Sequence, residues 1–156
     1  MQAIRGCQSR RISACPKHFV CNNKENNRKE CDSRVTERAL REIYLRGFRI
    51  AVEEGKPRMI MSSYNLLNGV RTAESFELLT VILRREWGFD GVVVTDWSNH
   101  GSHTLETKAG SDLRMPVGNF DLLVRCLREN YLKRGEVERA VKNILALILW
   151  YEGADV

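Results

Sequence analysis

Gly91-Val92-Val93-Val94-Thr95-Asp96-Trp97 is the stretch on which the fold turns. A β-branched run that is apolar on both faces suits a strand buried between two layers, as in a parallel sheet covered by helices. At its C-terminal end the run delivers a carboxylate, Asp96, and an indole, Trp97. Upstream, Met59-Ile60-Met61-Ser62-Ser63-Tyr64 is a second short apolar run ending in polar groups. Between the two lie the turn pair Asn68-Gly69 and a helix that Ser75 can cap, with Leu79, Ile82, Leu83 and Trp87 on one face and Gly88 as its stop.

The alternation continues in both directions. Ile12-Ser13-Ala14-Cys15, running into Pro16-Lys17-His18-Phe19, is predicted as the first strand, and the Asn-rich segment 22–28 as a loop. Thr36 can cap a helix carrying Leu40, Ile43, Tyr44, Phe48, Ala51 and Val52 on one stripe, stopped at Gly55 and Pro57. Downstream, a short helix from His103 to Ala109 leads to a fourth strand, Ser111-Asp112-Leu113-Arg114, closed by Met115-Pro116. Two helices follow, about 120–131 and 136–151; in the second, Val137, Val141, Ile144, Leu145 and Ile148 form an apolar stripe expected to pack. The pattern is that of an α/β fold of about four parallel βα units plus C-terminal helices. With no Gly-rich phosphate fingerprint it points to half of a TIM-type (β/α)8 barrel, since a whole barrel needs at least ~200 residues.

Composition narrows the partners. The 25 Lys+Arg and 20 Asp+Glu leave a net charge of +5, but the charges are interleaved, as in Arg34, Glu37, Arg38, Arg41 and Glu42, and form no basic block. Solvated helix faces account for them, and no nucleic-acid partner is expected. No apolar run approaches the ~18 residues of a membrane span, and the opening Met1-Gln2-Ala3-Ile4-Arg5-Gly6-Cys7 lacks a signal-peptide core, so no membrane association and a cytoplasmic location are expected. The five cysteines, Cys7, Cys15, Cys21, Cys31 and Cys126, are odd in number and irregularly spaced, which fits reduced thiols. Cys15-x-x-His18-x-x-Cys21 comes nearest to a metal pattern, but a strand would turn these residues to different faces, so neither metal nor cofactor is expected.

Polar residues gather where the strands end: Lys17 and His18, then Tyr64 and Asn65, then Asp96 and Trp97. Barrel enzymes place their chemistry at that end. A carboxylate followed by an aromatic ring there suits a carbohydrate, the acid attacking an anomeric carbon while the indole covers an apolar sugar face. The same two residues also fit a structural role, an Asp capping the next helix and an indole sealing the rim.

Several ordered blocks carry a more specific signal. They are Lys17-His18-Phe19-Val20-Cys21-Asn22-Asn23-Lys24-Glu25-Asn26-Asn27-Arg28, the run from Ser33 through Thr36-Glu37-Arg38 to Tyr44, Met61-Ser62-Ser63-Tyr64-Asn65 with Asn68-Gly69, Glu86-Trp87-Gly88-Phe89-Asp90-Gly91, and Val93-Val94-Thr95-Asp96-Trp97. In these blocks the sequence resembles glycoside hydrolase family 3, the β-glucosidase family, over nearly its whole length. The resemblance implies that Asp96 is the nucleophile, forming a covalent glycosyl-enzyme intermediate with retention of configuration. It implies that Lys17 and His18 bind sugar hydroxyls and that Met61, Tyr64 and Trp97 surround the same subsite. Arg28 lies in the matched loop, where anchoring the loop and touching sugar are both open. A fixed charge such as Lys17 suits a neighbouring nucleophilic carboxylate.

The departures are also informative. Val20-Cys21-Asn22-Asn23 stands where the family's hexosaminidase branch has a Gly-His loop, which disfavours N-acetylglucosaminidase and leaves glucosidase or xylosidase. Ser98-Asn99-His100-Gly101 replaces the Gly-Ala-Val-His of many members, and Arg114 replaces an acidic residue before Met115-Pro116. The family's first barrel half, which supplies an Asp and an Arg to the sugar site, and the following domain, which supplies the acid/base Glu, have no counterpart in these residues. Glu25, Glu74 and Glu106 match no acid motif, and loop anchoring is expected of them. Residues 1–156 are thus expected to be one partial N-terminal-type barrel domain, the C-terminal half of the barrel, poorly active or inactive alone. The expected substrate is a β-glucoside or oligosaccharide. The open sheet edges predict a homodimer or a complementing barrel half, and a noncatalytic half-barrel module for sugar binding or assembly is the alternative.

Overall fold

The structure, a computed structural model, describes residues 1–153. In chain order the elements are α1 (Gln2–Gln8), β1 (Asp32–Ser33), a long helical segment α2 (37–55), β2 (Met59–Met61), β3 (Leu66–Leu67), β4 (Val70–Arg71), α3 (Glu77–Glu86), β5 (Val92–Val94), α4 (His103–Ala109), α5 (Phe120–Arg128) and α6 (Arg134–Tyr151). β2 and β5 pair in parallel with Ile60 opposite Val93, and β1, β3 and β4 make a small separate sheet. Parallel bridges extend the central pair on both sides, Phe19 to Ser62 and Val94 to Leu113. Four parallel segments thus lie side by side in chain order, with helical segments between them.

The outer two segments are shorter than the sequence predicts, for backbone reasons. Residues 12–18 form no strand: Pro16 has no N–H to give a ladder, and pairing is confined to its carbonyl, which accepts from Met61 N, and to Phe19. In the fourth segment the N–H groups of Asp112 and Leu113 both donate to Val93 O. The N–H of Val93 donates in turn to the Asp112 carboxylate, so a side chain occupies a ladder position.

α2 starts where expected, with Thr36 Oγ1 accepting from Ala39 N at 3.3 Å. Its turn at residues 40–44 is wound wide, Leu45 N reaching back to Leu40 O. That shifts the register: Ile43, predicted on the packed stripe, is 67% exposed, and Leu45 is buried in its place. The helix stops at Lys56, which adopts the left-handed conformation (φ 50°) expected of Gly55. α3 follows its prediction, with Ser75 Oγ capping Leu78 N, Leu79, Ile82, Leu83 and Trp87 buried, and Gly88 at φ 70°.

The core lies between the parallel segments and helices α2 and α3. Phe19 is fully buried at its centre, edge-on to Phe48 of α2 (centroids 5.1 Å apart) and to Trp87 (6.0 Å). This packing fixes the chain one residue beyond His18. In α6 Arg139 and Asn143 reach Asp112, while Val141, Leu145 and Ile148 of the predicted packing face, with Leu149 beside them, stand about half exposed. Among the described residues no helix is long and apolar enough to cross a membrane, and no cluster of three metal-ligating side chains occurs.

Candidate active site

The parallel segments bring three chain regions to one end. Asp96 follows β5 by two residues and Tyr64 follows β2 by three, while His18 precedes the bridge residue Phe19. Asp96 is 7% exposed. Its Oδ1 accepts from Trp97 N at 2.7 Å, and its Oδ2 lies 3.4 Å from His18 Nε2. Both carboxylate oxygens therefore have partners from rigid neighbours.

Tyr64 closes the arrangement from the next strand. Its hydroxyl donates to Trp97 O at 2.7 Å, bracing the residue after Asp96. Burial, reinforced by the neighbouring Asp96 charge, pushes the phenol upward from its ordinary value. The Tyr64 ring is covered by cations, with Arg28 Cζ 4.7 Å and Lys29 Nζ 5.2 Å from its centroid. Trp97 leaves its indole 55% exposed at this rim, a surface able to stack on a sugar face.

The remaining predicted residues sit around this centre. Met61 is half-buried on β2, in register with Val94 of β5. Arg28 bonds Glu25 Oε2 at 2.8 Å besides covering Tyr64. Lys17 is exposed, and among the described residues the ion-pair partner of Asp96 is His18. Glu25, Glu74 and Glu106 all have anchoring partners: Arg28, the Ser102 N–H and Arg114 respectively.

Sequence reasoning passed over the residues that lash the 22–31 loop to this centre. Lys29 Nζ donates to Ser98 O at 2.8 Å, and His100 Nδ1 meets Glu30 Oε1 at 2.6 Å. Arg71 Nη1 donates to Lys29 O (2.6 Å) and to Tyr64 O (2.8 Å). These contacts join residues seven to seventy positions apart, so no local pattern announces them; the charges within the Asn-rich loop were the available signal.

Residues 1–147 match the model of the Glycosyl hydrolase family 3 N terminal domain. Beta-glucosidase A of Butyrivibrio fibrisolvens is 51% identical over 136 residues, covering 87% of this chain and 16% of the relative. An exo-alpha-(1->6)-L-arabinopyranosidase of Bifidobacterium longum is 38% identical over 146 residues, covering 93% and 19%. The structure of beta-glucosidase 3B from Thermotoga neapolitana in complex with alpha-D-glucose superposes with a TM-score of 0.92 at 40% identity, covering 96% of this chain and 23% of that one. The chain thus spans less than a quarter of the length of these relatives.

Proposed function

The chain belongs to glycosyl hydrolase family 3, and from that membership we propose that it forms part of the (β/α)8 barrel of a retaining β-glucosidase in which Asp96 is the nucleophile. The observation that carries this reading is Asp96 itself: a nearly buried carboxylate at the end of the most buried strand, fixed between Trp97 N and His18 Nε2. In the first step a carboxylate oxygen of Asp96 attacks C1 of a terminal β-D-glucosyl residue. The C1–O bond breaks toward the aglycone oxygen, which takes a proton from a general acid. In the second step water attacks C1, gives its proton to the same group acting as base, and releases Asp96. His18 and Lys17 serve the sugar hydroxyls, Trp97 and Met61 border the ring, and Tyr64 and Arg28 shape the rim.

A retaining enzyme holds its second carboxyl about 5–5.5 Å from the first. The family resemblance implies an acid/base from a domain without counterpart in these residues, Glu25, Glu74 and Glu106 are held in anchoring bonds, and turnover by the chain alone is expected to be slow. The arabinopyranosidase relative keeps the sugar open to a pyranose lacking the 6-hydroxymethyl group. A second reading, a noncatalytic module completed by a partner barrel half, is favoured by the half-exposed Val141, Leu145 and Leu149 on α6.

The test is covalent trapping. A 2,4-dinitrophenyl 2-deoxy-2-fluoro-β-D-glucoside needs little protonation of its leaving group, so it interrogates the nucleophile without the acid. A glycosyl adduct mapped to Asp96, absent in Asp96→Asn, is expected. A folded protein that forms no adduct means that the site is not assembled in this chain and overturns a catalytic role for the chain alone, in favour of the noncatalytic module completed by a partner half.

A further inference from the structure

Six residues separate Asp96 from α4, and the backbone polar groups of 97–102 all need partners. Trp97 O is taken by Tyr64, Ser98 O by Lys29, and Ser98 N by Met115 O. In the far half of the loop Ser102 N donates to Glu74 Oε1, and the carbonyls are held by one cation. Arg114 Nη1 donates to Gly101 O at 2.8 Å and also to Glu106 Oε2 at 2.8 Å, while Nη2 lies 3.5 Å from Asn99 O. Asn99 Oδ1 turns back to accept from Gly101 N at 2.6 Å.

Glu106 is an unusual residue for its place. It lies in α4 at 1% exposure, and its Oε1 has no hydrogen-bond partner. Burial pushes its carboxyl above the ordinary range, with Arg114 opposing the shift. A buried ion pair of this kind is a poor source of stability, since apolar residues of similar volume commonly do as well or better. Its geometric effect is specific, however: the carboxylate fixes the planar guanidinium in the orientation that catches the loop carbonyls. The loop fits against the pair without slack, because a Cβ on Gly101 would meet Glu106 Oε1 at 2.5 Å and Asn99 Oδ1 at 2.9 Å.

We propose that Arg114 and Glu106 are positioning residues, a buried clamp that holds the 99–102 loop and thereby sets the orientation of Asp96 and Trp97. The inference rests on the reading of Asp96 as nucleophile for its catalytic consequence, and on the loop geometry alone for the clamp.

The decisive comparison uses the Glu106→Leu/Arg114→Leu double variant and the single Arg114→Lys, which keeps a charge for Glu106 but cannot span both carboxylate and carbonyls. Three readouts are taken on the 156-residue chain: urea stability, amide hydrogen exchange of peptides covering 97–102, and the trapping rate at Asp96. A merely structural pair predicts that exchange and trapping follow global stability. The clamp predicts stability in the double variant equal to or above wild type, with exchange in 97–102 faster by about tenfold or more. It also predicts that the maximal trapping rate falls by about tenfold while the reagent's half-saturating concentration changes less than about threefold. Arg114→Lys, at whatever stability, gives the same faster exchange and slower trapping should the double variant fail to fold. Unchanged exchange in 97–102 in a folded variant overturns the clamp, whether or not the wild type is trapped. Fast exchange with an unchanged trapping rate overturns the positioning role. Absence of trapping in the wild type removes a catalytic role from the chain alone, and with it the positioning role there, while exchange still decides the clamp.

Discussion

Asp112→Ala removes the carboxylate on which the lower half of the sheet converges. The Asp112 side chain is fully buried and has four partners: Arg84 Nη2 at 2.6 Å, Val93 N at 2.8 Å, Asn143 Nδ2 at 3.0 Å and Arg139 Nε at 3.5 Å. After its loss Arg84 still reaches Gly91 O and Gly110 O, and Arg139 still reaches Thr107 O and Ser111 O, but neither guanidinium keeps this counter-ion. Breaking a buried pair from one side costs about 3–5 kcal/mol, so a value of ~4 kcal/mol is expected. That is a large share of the ~5–15 kcal/mol that holds a domain together. In urea, with a slope of about 2 kcal/mol per molar, the unfolding midpoint should fall by ~2 M. Asp112→Asn, which keeps an acceptor for Val93 N and loses the charge, should fall between the two. A loss below about 1 kcal/mol in Asp112→Ala at unchanged slope would refute the claim that this carboxylate is the counter-ion of a buried network.

Other consequences are smaller and equally accessible. Burial pushes the Cys15 and Cys21 thiols up to about 11, against an opposing Lys17 charge at Cys15. At pH 7.5 only about one in three thousand of such thiols is thiolate, so peptide mapping after brief iodoacetamide treatment should find Cys7, which is exposed, modified well before either; equal rates would contradict the burial. The Glu30 carboxyl is held below its ordinary 4.5, first by the His100 bond and also by Arg71. Its contribution is therefore present above that value and lost as pH falls through the lowered one, and a carbon-detected titration should place the midpoint below 4.5 and see it rise in His100→Ala. Gly101→Ala should destabilise by about 1–3 kcal/mol because its Cβ has no room, whereas Gly135→Ala, with nothing within 4 Å, should stabilise α6 by up to ~1 kcal/mol; thermal melts showing the same sign for both would count against the packing described.

What the sequence made legible was whatever is written in local periodicity. Val92, Val93 and Val94 are buried on both faces and form β5, and Ser75, Leu79 and Gly88 mark the start, face and end of α3. Periodicity failed at particular positions, though not wherever the winding is wide, since α3 is wound wide from Glu77 to Glu86 and keeps its predicted face. The wide turn at 40–44 exchanged Ile43 for Leu45, and Pro16 and the Asp112 carboxylate cut the outer strands to single bridges. α1 carried too little apolar pattern to be foreseen, and it is tied down by Arg5 and Gln8 reaching the carbonyls of Glu54 and Lys56.

The site divides along the same line. Of the residues proposed to carry its chemistry, Asp96 and Trp97 follow β5 and Tyr64 follows β2, so a sequence that reveals those strands also reveals them, whereas His18 precedes a single bridge. The residues that hold them in place meet across the chain, as Lys29 of the 22–31 loop does Ser98 and as Arg71 of β4 does Lys29, and chain order contains no trace of such meetings.

α6 shows how far this limit reaches. Amphipathicity sorts its residues round the helix but does not say which side docks within the chain. Here Arg139 and Asn143 reach Asp112, and Val141, Leu145 and Leu149 line an open apolar groove. The one nearly buried apolar side chain of the helix is the small Ala140, so the polar anchor is expected to carry much of its attachment. Asp112→Ala should accordingly raise amide exchange in α6 more than in α3, whose Leu79, Ile82 and Leu83 stay fully packed. Equal protection in the two helices would mean that apolar contacts, not the carboxylate, hold α6 to the sheet.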